Sequence, residues 1–397
     1  SSSVTENGYN IVQCTGVPTL SLVLRRQVSV VVNIPTDFAT MQDAVDFYMA
    51  SPNYSKDFID IVIEDGHLVT KGLNCRHGDY SKFSIKSELG GTIQLDTTFV
   101  GAVTSGVPVG ILGETPRQPL FFGYDATMPE LFSLWDMQGL FGTGIQLAES
   151  KIVVNEACGV INAGFRGIQI HGRANIYGAN FSGARGIGIR IQQASSCSAR
   201  NAIADDCCST EDTTTAAIYV SRSSTLEFRG GSAQRSGASG LIARRSIVTA
   251  DEANFDDAAD KGIEAESNSH VSWSNGSALN TTSSSLRCIA NANVYAVGSD
   301  MSTTSSANPI DLEGVGGVVT VSDSSIIEGS TGEANAIANT RGVDYTNAFT
   351  DKGMLFYANG ANGTFKITSN ADGISQRFAD GRMITYIAKS VDTGSVA

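Results

Sequence analysis

The stretch from Ile145 to Cys288 repeats one short pattern, read as GIQLAESK, GIQIHGRA, GIRIQQAS, AIYVSRSS, GLIARRSI, GIEAESNS and RCIANANV. Anchors fall at Ile145, Ile168, Ile189, Ile218, Leu241, Ile263 and Cys288, spaced from 21 residues (Ile168 to Ile189) to 29 (Ile189 to Ile218). Each unit opens on a short apolar alternation, passes through Ala, Ser and Asn, and ends in a run of small residues. Such a unit cannot bury its own apolar side chains, so neighbours must stack, and a period in the twenties implies a solenoid. A leucine-rich repeat shares the period, but its Leu/Asn signature is missing. Helical repeats need longer units made of helix formers. What remains is an all-β chain wound as a parallel β-helix, one turn per repeat.

Composition agrees. A solenoid makes one elongated domain of 397 residues, where length alone would imply two or three. Only 17% of residues are charged and 42 are glycine, as stacked rungs with tight corners require. A formal charge of −13 argues against nucleic acid as a partner. No stretch is apolar for long enough to insert in a membrane, and SSSVTENGYN does not read as a signal peptide. The seven cysteines include the adjacent Cys207 and Cys208, and several others occupy apolar rung positions. They read as buried free thiols of a chain assembled in reducing cytosol. No paired Cys/His spacing recurs, so neither a metal nor another cofactor is expected.

Along the chain, residues 1–98 hold strand-like runs at Thr19–Leu24 and Val28–Ile34, then a helix with Phe38, Met41, Ala44, Val45, Tyr48 and Met49 on one face. That helix suits a lid over the open end of the solenoid. Phe58–Glu64, Phe83–Lys86 and Thr92–Leu95 read as the first rung strands. Residues 99–144 read as irregular loops around Phe121, Phe122, Tyr124, Phe132 and Trp135. The β-helix proper is placed at 145–341, with late strands at Asn293–Val297, Val318–Val321 and Ser325–Glu328. Residues 342–397 alternate as Met354–Tyr357, Thr364–Thr368 and Met383–Ala388 between NGANG, NADG and ADG turns. They form a small antiparallel module, in keeping with the start of a further domain.

Strand alternation assigns faces. Ile168 and Ile170, Ile189 and Ile191, and Ile218 and Val220 point inward. One outward column then holds Gln146, Gln169, Arg190, Tyr219, Ile242 and Glu264. The next holds Ala148, His171, Gln192, Ser221, Arg244 and Glu266, with Glu149, Lys151, Arg173, Arg222 and Arg245 at or just past the corner. Ten arginines and no lysine lie from Arg166 to Arg245, against five Asp and Glu. Guanidinium groups grip carboxylates bidentately, so Arg173, Arg190, Arg222, Arg244 and Arg245, with Gln169, Gln192 and Glu266, are candidates to bind an acidic polysaccharide. The same arginines would equally serve a solvated or subunit-facing surface. β-Elimination needs a cation on the uronate carboxylate and a base for the adjacent proton. His171, Arg173, Arg190 and Lys151 are candidates for these tasks, with Tyr177 and Tyr219 as proton donors. A glycosidase would need two carboxylates. Glu264 and Glu266 with Asp251 and Glu252, or Asp205 and Asp206 with Glu211 and Asp212, are available.

The run CGVINAGFRGIQIHGRANIYGANFSGARGIGIRIQ, with IPTDFATMQDAVDFYMAS followed by IDIVIEDGHLVTKGL, resembles the rungs of bacteriophage tailspikes and capsule depolymerases. The nearest similarity is to tailspike-type lyases of uronate capsules such as heparosan, and ITSNADGISQRFADGRMITYIA is similar to segments opening the distal part of tail fibres. The resemblance implies a right-handed, single-stranded, pectate-lyase-like β-helix with a capping helix, assembled as a homotrimer. It implies a virion tail protein that contacts other phage tail proteins, binds a bacterial surface polysaccharide and cuts it as a lyase. Hydrolase tailspikes and non-cutting fibres share the shape, so those activities stay open. The resemblance also implies a catalytic Glu–Lys pair, for which Glu149 and Lys151 are the match. Ile242 and Ile289, expected outward, would favour the trimer.

Overall fold

A computed structural model describes residues 30–51, 57–102, 118–209 and 215–301, with Ile310 and Val319, and beyond these only the backbone of further strands. The chain is a parallel β-solenoid. Its first sheet stacks ten strands, from Leu73–Asp79 and Phe121–Thr127 through Thr143–Val153, Arg166–Asn175, Ile189–Ile191, Ala216–Ser221, Ser239–Arg244, Lys261–Glu266 and Ser284–Ile289 to Ile310–Glu313. A second sheet follows a bend in each turn. It runs from Ser29–Ile34, Phe58–Ile63, Phe83–Ser87 and Glu130–Leu131 through the ends of the two long strands to Ser196–Ser198, Thr225–Glu227, Ile247–Thr249, His270–Ser274 and Asn293–Val297. The third side begins as Val69–Lys71, Ile93–Val100, Leu134–Asp136 and Gly159–Ile161. It then thins to one bridge per turn at Asn180, Ile203, Ser232, Asn254 and Ser277.

Sequence explains each corner. The first bend places Glu149, Arg222, Arg245, Asn268 and Asn291 at φ between 49° and 64°. The second uses Asn201, Gly230, Glu252 and Asn275, and the third Asn162, Asp206, Arg235, Asp257 and Asn280, again at positive φ. This left-handed conformation favours Gly, Asn and Asp, which accounts for the polar, small-residue character of every unit. Where the first bend passes Gly172 (φ 140°), an added Cβ would lie 2.1 Å from the Ser150 carbonyl oxygen. Behind this bend runs a column of buried serines, Ser150, Ser195, Ser224, Ser246 and Ser269. Each donates to a carbonyl of its own turn, as in Ser224 Oγ to Ser221 O at 2.7 Å. Several accept a neighbouring rung's N–H, as Ser195 does from Gly172 at 2.8 Å. The bend's polar groups are thereby paired inside the solenoid.

Inward residues form one continuous apolar cluster from Val32 to Val319. The helix Met41–Ala50 starts at Thr40, whose Oγ1 accepts from Asp43 N at 3.2 Å. Met41, Ala44, Val45 and Tyr48 join the same cluster, while Met49 is exposed. Six cysteines are free and buried; Cys14 lies outside the described residues.

Two expectations change. Residues 118–136 are a regular turn: Phe121 pairs with Ile145, Glu130 with Ser84 and Trp135 with Ile93. Large aromatic residues fill inward positions there, hiding the pattern. Ile263 pairs with Leu286, and Ala265 with Cys288, so the last anchor sits two residues earlier than the alternation implied. Residues 355–386 contribute the antiparallel strands Leu355–Asn359, Gly363–Ile367, Ile374–Arg377 and Met383–Tyr386.

Phe228, Phe255 and Trp273 stack inside consecutive turns at 6.1 and 6.3 Å between ring centroids. All three are fully buried. Phe255→Ala should therefore cost about 3–5 kcal/mol, measurable as a lower midpoint of denaturant unfolding.

Candidate functional site

The register confirms the outward columns of the first sheet. Gln146, Gln169, Arg190, Tyr219, Ile242 and Glu264 follow one another across paired strands, and Arg287 comes next. Ala148 pairs with His171, Ser221 with Arg244, Arg244 with Glu266, and Glu266 with Ile289. Several of these outward positions are nevertheless covered. Gln169, Gln192 and Ile242 are 1% exposed and His171 3%. Ile242 is therefore no outward patch, and it loses its value as a sign of subunit contact. Arg166 donates to Gln169 Oε1 at 2.5 Å, and the Gln169 and Gln192 side chains both meet His171 Nε2. His171 is thus built into a buried polar chain that spans two turns.

Below this chain lie two ionic groups. In the first, Arg190 sits 5.8 Å from the Tyr219 ring centroid, and Arg244 lies 5.5 Å from the same ring. Arg244 Nη1 also donates to the Tyr219 hydroxyl at 3.1 Å. Burial holds the Arg190 guanidinium below its ordinary pKa, and repulsion from Arg222 adds to this. Two neighbouring cations beside a phenol create a positive spot on the sheet surface.

In the second group, Arg244 Nε lies 2.6 Å from Glu266. Lys261 bridges Asp260 (2.5 Å) and Glu264 (3.1 Å), and Arg287 approaches Glu264 at 3.6 Å. Burial, then the hydrogen bond with Glu266, pushes the Glu264 carboxyl up. Although burial opposes it, the hydrogen bonds from Glu264 and Arg244 hold Glu266 down. One carboxyl is thus favoured protonated and its neighbour ionised, the division of labour that acid–base pairs use. Lys261, Asp260 and Arg287 escaped the sequence reading. Anchoring the last unit at Leu286 would have placed Arg287 in the column.

The bend divides the remaining candidates. Glu149, Arg222 and Arg245 are exposed at the corner itself. Lys151 and Arg173 pair one turn apart on the second sheet. They open a groove of about 530 Å³ lined further by Asn175, Ser196, Ser198, Thr225, Glu227 and Thr249. The constellation of His171, Arg173, Arg190 and Lys151 is therefore not one cluster, since the chain turns between His171 and Arg173.

Other carboxylates serve the turns. Asp206 pairs with Arg235 at 2.8 Å, while Asp205 accepts from Ser232 Oγ at 2.6 Å and from Gln234 N at 2.9 Å. Asp251 accepts from Ser272 Oγ and Ser274 N, each at 3.2 Å, and Glu252 is an exposed corner residue. Tyr177 is exposed, with its hydroxyl accepting from Asn201 at 3.2 Å. Glu211 and Asp212 lie outside the described residues.

No protein-family model and no curated protein matches the chain. Among solved structures it is similar to a periplasmic alginate epimerase double mutant, with 12% identity, a TM-score of 0.43, and coverage of 78% of this chain and 83% of that one. It is also similar to the Dettilon tailspike protein, with 10% identity, a TM-score of 0.35, and coverage of 87% and 78%. At these values the likeness transfers no residue role.

A carboxyl whose folded pKa is raised binds its proton more tightly in the native state, so its contribution to stability falls as pH rises through that value. Glu264→Gln imitates the protonated form. The variant should match the parent below the ordinary carboxylate range and show a relatively higher Tm above it, in a thermal-melting series across pH.

Proposed function

We propose that this chain is the β-helical body of a phage tailspike-type protein that binds an acidic, uronate-containing bacterial surface polysaccharide and cuts it by β-elimination. Homotrimeric assembly on a virion tail, acting at the cell surface, belongs to the same reading. The observation that carries it is the pair of guanidiniums that flank the Tyr219 ring, Arg190 at 5.8 Å and Arg244 at 5.5 Å from its centroid. A uronate carboxylate held by two guanidiniums loses much of its negative charge, which acidifies the proton on the adjacent ring carbon. In this reading Tyr219 takes that proton and returns it to the glycosidic oxygen. The C–H electron pair becomes the new C=C bond, and the C–O bond to the leaving sugar breaks. Arg244 orients the phenol through its hydrogen bond. Gln169, His171 and Gln192 hold the turns on which these groups stand, and His171 is too enclosed to act as the base.

A second reading rests on the Glu264–Glu266 pair. Its split protonation suits a glycoside hydrolase, with Glu264 as the acid and Glu266 as the charged partner. The two carboxyls hydrogen-bond one another, so a sugar would have to separate them before either could act.

Purified protein mixed with heparosan and polygalacturonate should raise the ultraviolet absorbance of unsaturated uronate together with new reducing ends. Arg190→Gln and Tyr219→Phe should each lower that turnover by about 10²–10⁴-fold. Reducing ends without absorbance, lost on Glu264→Gln, would instead establish the hydrolase.

A further inference from the structure

The second sheet carries an outer surface that the chemistry above leaves unused. Lys151 and Arg173 are exposed neighbours one turn apart, about 4.8 Å along the stack. Among the described residues neither forms an ion pair. Like charges held this close favour an anion between them. Their groove continues past Ser196 and Thr225 in one column and Asn175, Ser198, Glu227 and Thr249 in the next. Toward the N-terminus the same sheet continues through Leu131, which bridges Val154, to the strands at Phe83–Ser87 and Phe58–Ile63. There a hollow of about 430 Å³ is walled by the exposed rings of Phe58 and Phe132. Lys82, Lys86, Ser84, Asp60 and Glu130 supply its polar lining, with Lys86 3.0 Å from Asp60.

We propose that this face is a second, non-cleaving track for an extended anionic polysaccharide. The carboxylates of the glycan engage Lys151 and Arg173, and a sugar ring stacks in the hollow between Phe58 and Phe132. Hydroxyl and amide side chains repeating at one-turn intervals match the hydroxyl groups of a sugar chain, and aromatic rings offer the apolar surface that a pyranose face needs. From the strand at Phe58 to the strand at Ile247 the track crosses eight strands, or about 34 Å, long enough for several sugars. A second copy of this chain is the competing occupant. The core of a protein interface is depleted of charge, whereas this strip carries exposed lysine and arginine along its centre. The proposal takes its class of ligand from the acidic-glycan reading, but neither its residues nor its test depend on cleavage.

The test uses the full chain carrying Tyr219→Phe, so that cutting and holding are separated. Fluorescently labelled polygalacturonate, heparosan and neutral dextran are titrated at two salt concentrations. Lys151→Gln with Arg173→Gln should weaken binding of both anionic polymers at least tenfold and reduce its salt dependence. Lys151→Arg with Arg173→Lys should restore it. Phe58→Ala with Phe132→Ala should weaken long chains but spare oligomers too short to reach the hollow. Unchanged anionic binding in the Lys151/Arg173 variant would overturn the proposal. So would equal affinity for dextran, or absence of any anionic binding by the parent chain. A fall in oligomer mass by light scattering with glycan binding intact would assign the face to another copy of the chain. Absorbance on the unmodified protein reports separately on the first sheet, so the two readings can fail independently.

Discussion

In-register stacking of one turn on the next, about 4.8 Å apart, is the constraint on which the rest of this structure depends. It forces every turn to bend at equivalent places, which is why left-handed residues recur at three corners and why buried serines line the first bend. It aligns inward residues as ladders, so Ile168, Ile189, Ile218, Leu241 and Ile263 stand one above the next. No turn is stable alone, because each supplies both the floor of one neighbour and the roof of the other.

The same stacking converts sequence into electrostatics. A charge placed outward must face whatever the turns above and below present, about one hydrogen-bonded strand away. Most charges here meet an opposite one: Arg244 meets Glu266, Arg235 meets Asp206, and Arg200 meets Glu227 at 2.6 Å. Such pairs help fix register, although exposed ones contribute little energy. On the second sheet Lys151 and Arg173 set cation beside cation one turn apart. Like-charge neighbours oppose folding, so the stack itself gains nothing from this pair. The pair stands across the bend from Arg190 and Tyr219, so the two sheets present different surfaces.

Much of the architecture was legible because the side-chain period of a strand is two, and alternation alone sorted Ile168, Ile189 and Ile218 inward. That parity also protected the reading from its own error. Taking Cys288 for the anchor in place of Leu286 slipped the unit by two residues, which keeps the inside and outside faces but moves each residue one column over. Ile289 then stood where Arg287 belongs, and the cation near Glu264 was hidden. Alternation predicts direction and not burial, so it made His171 and Ile242 surface residues, although both are buried. Nor does it show where a strand turns. Gly172 carries the bend that parts His171 from Arg173, and its conformation depends on the Ser150 carbonyl of the preceding turn, more than twenty residues away in sequence.

The longest unit shows why such a scaffold can change its chemistry without changing its shape. Twenty-nine residues separate Ile189 from Ile218, yet Arg190 still pairs with Tyr219 and Ile191 with Val220. The extra length leaves between strands and returns in register, since only the strand ends must meet the stack. Loop closure grows slowly with length, so an excursion costs little provided its ends are held. Here the ends are held by buried Cys207 and Cys208 on one side and by Ala216 and Ala217 on the other. The excursion enters the first sheet just before Tyr219, beside the arginines that distinguish this face. Variation in length is thus cheapest beside Arg190 and Tyr219, where the chain between strands can change while the core beneath stays the same.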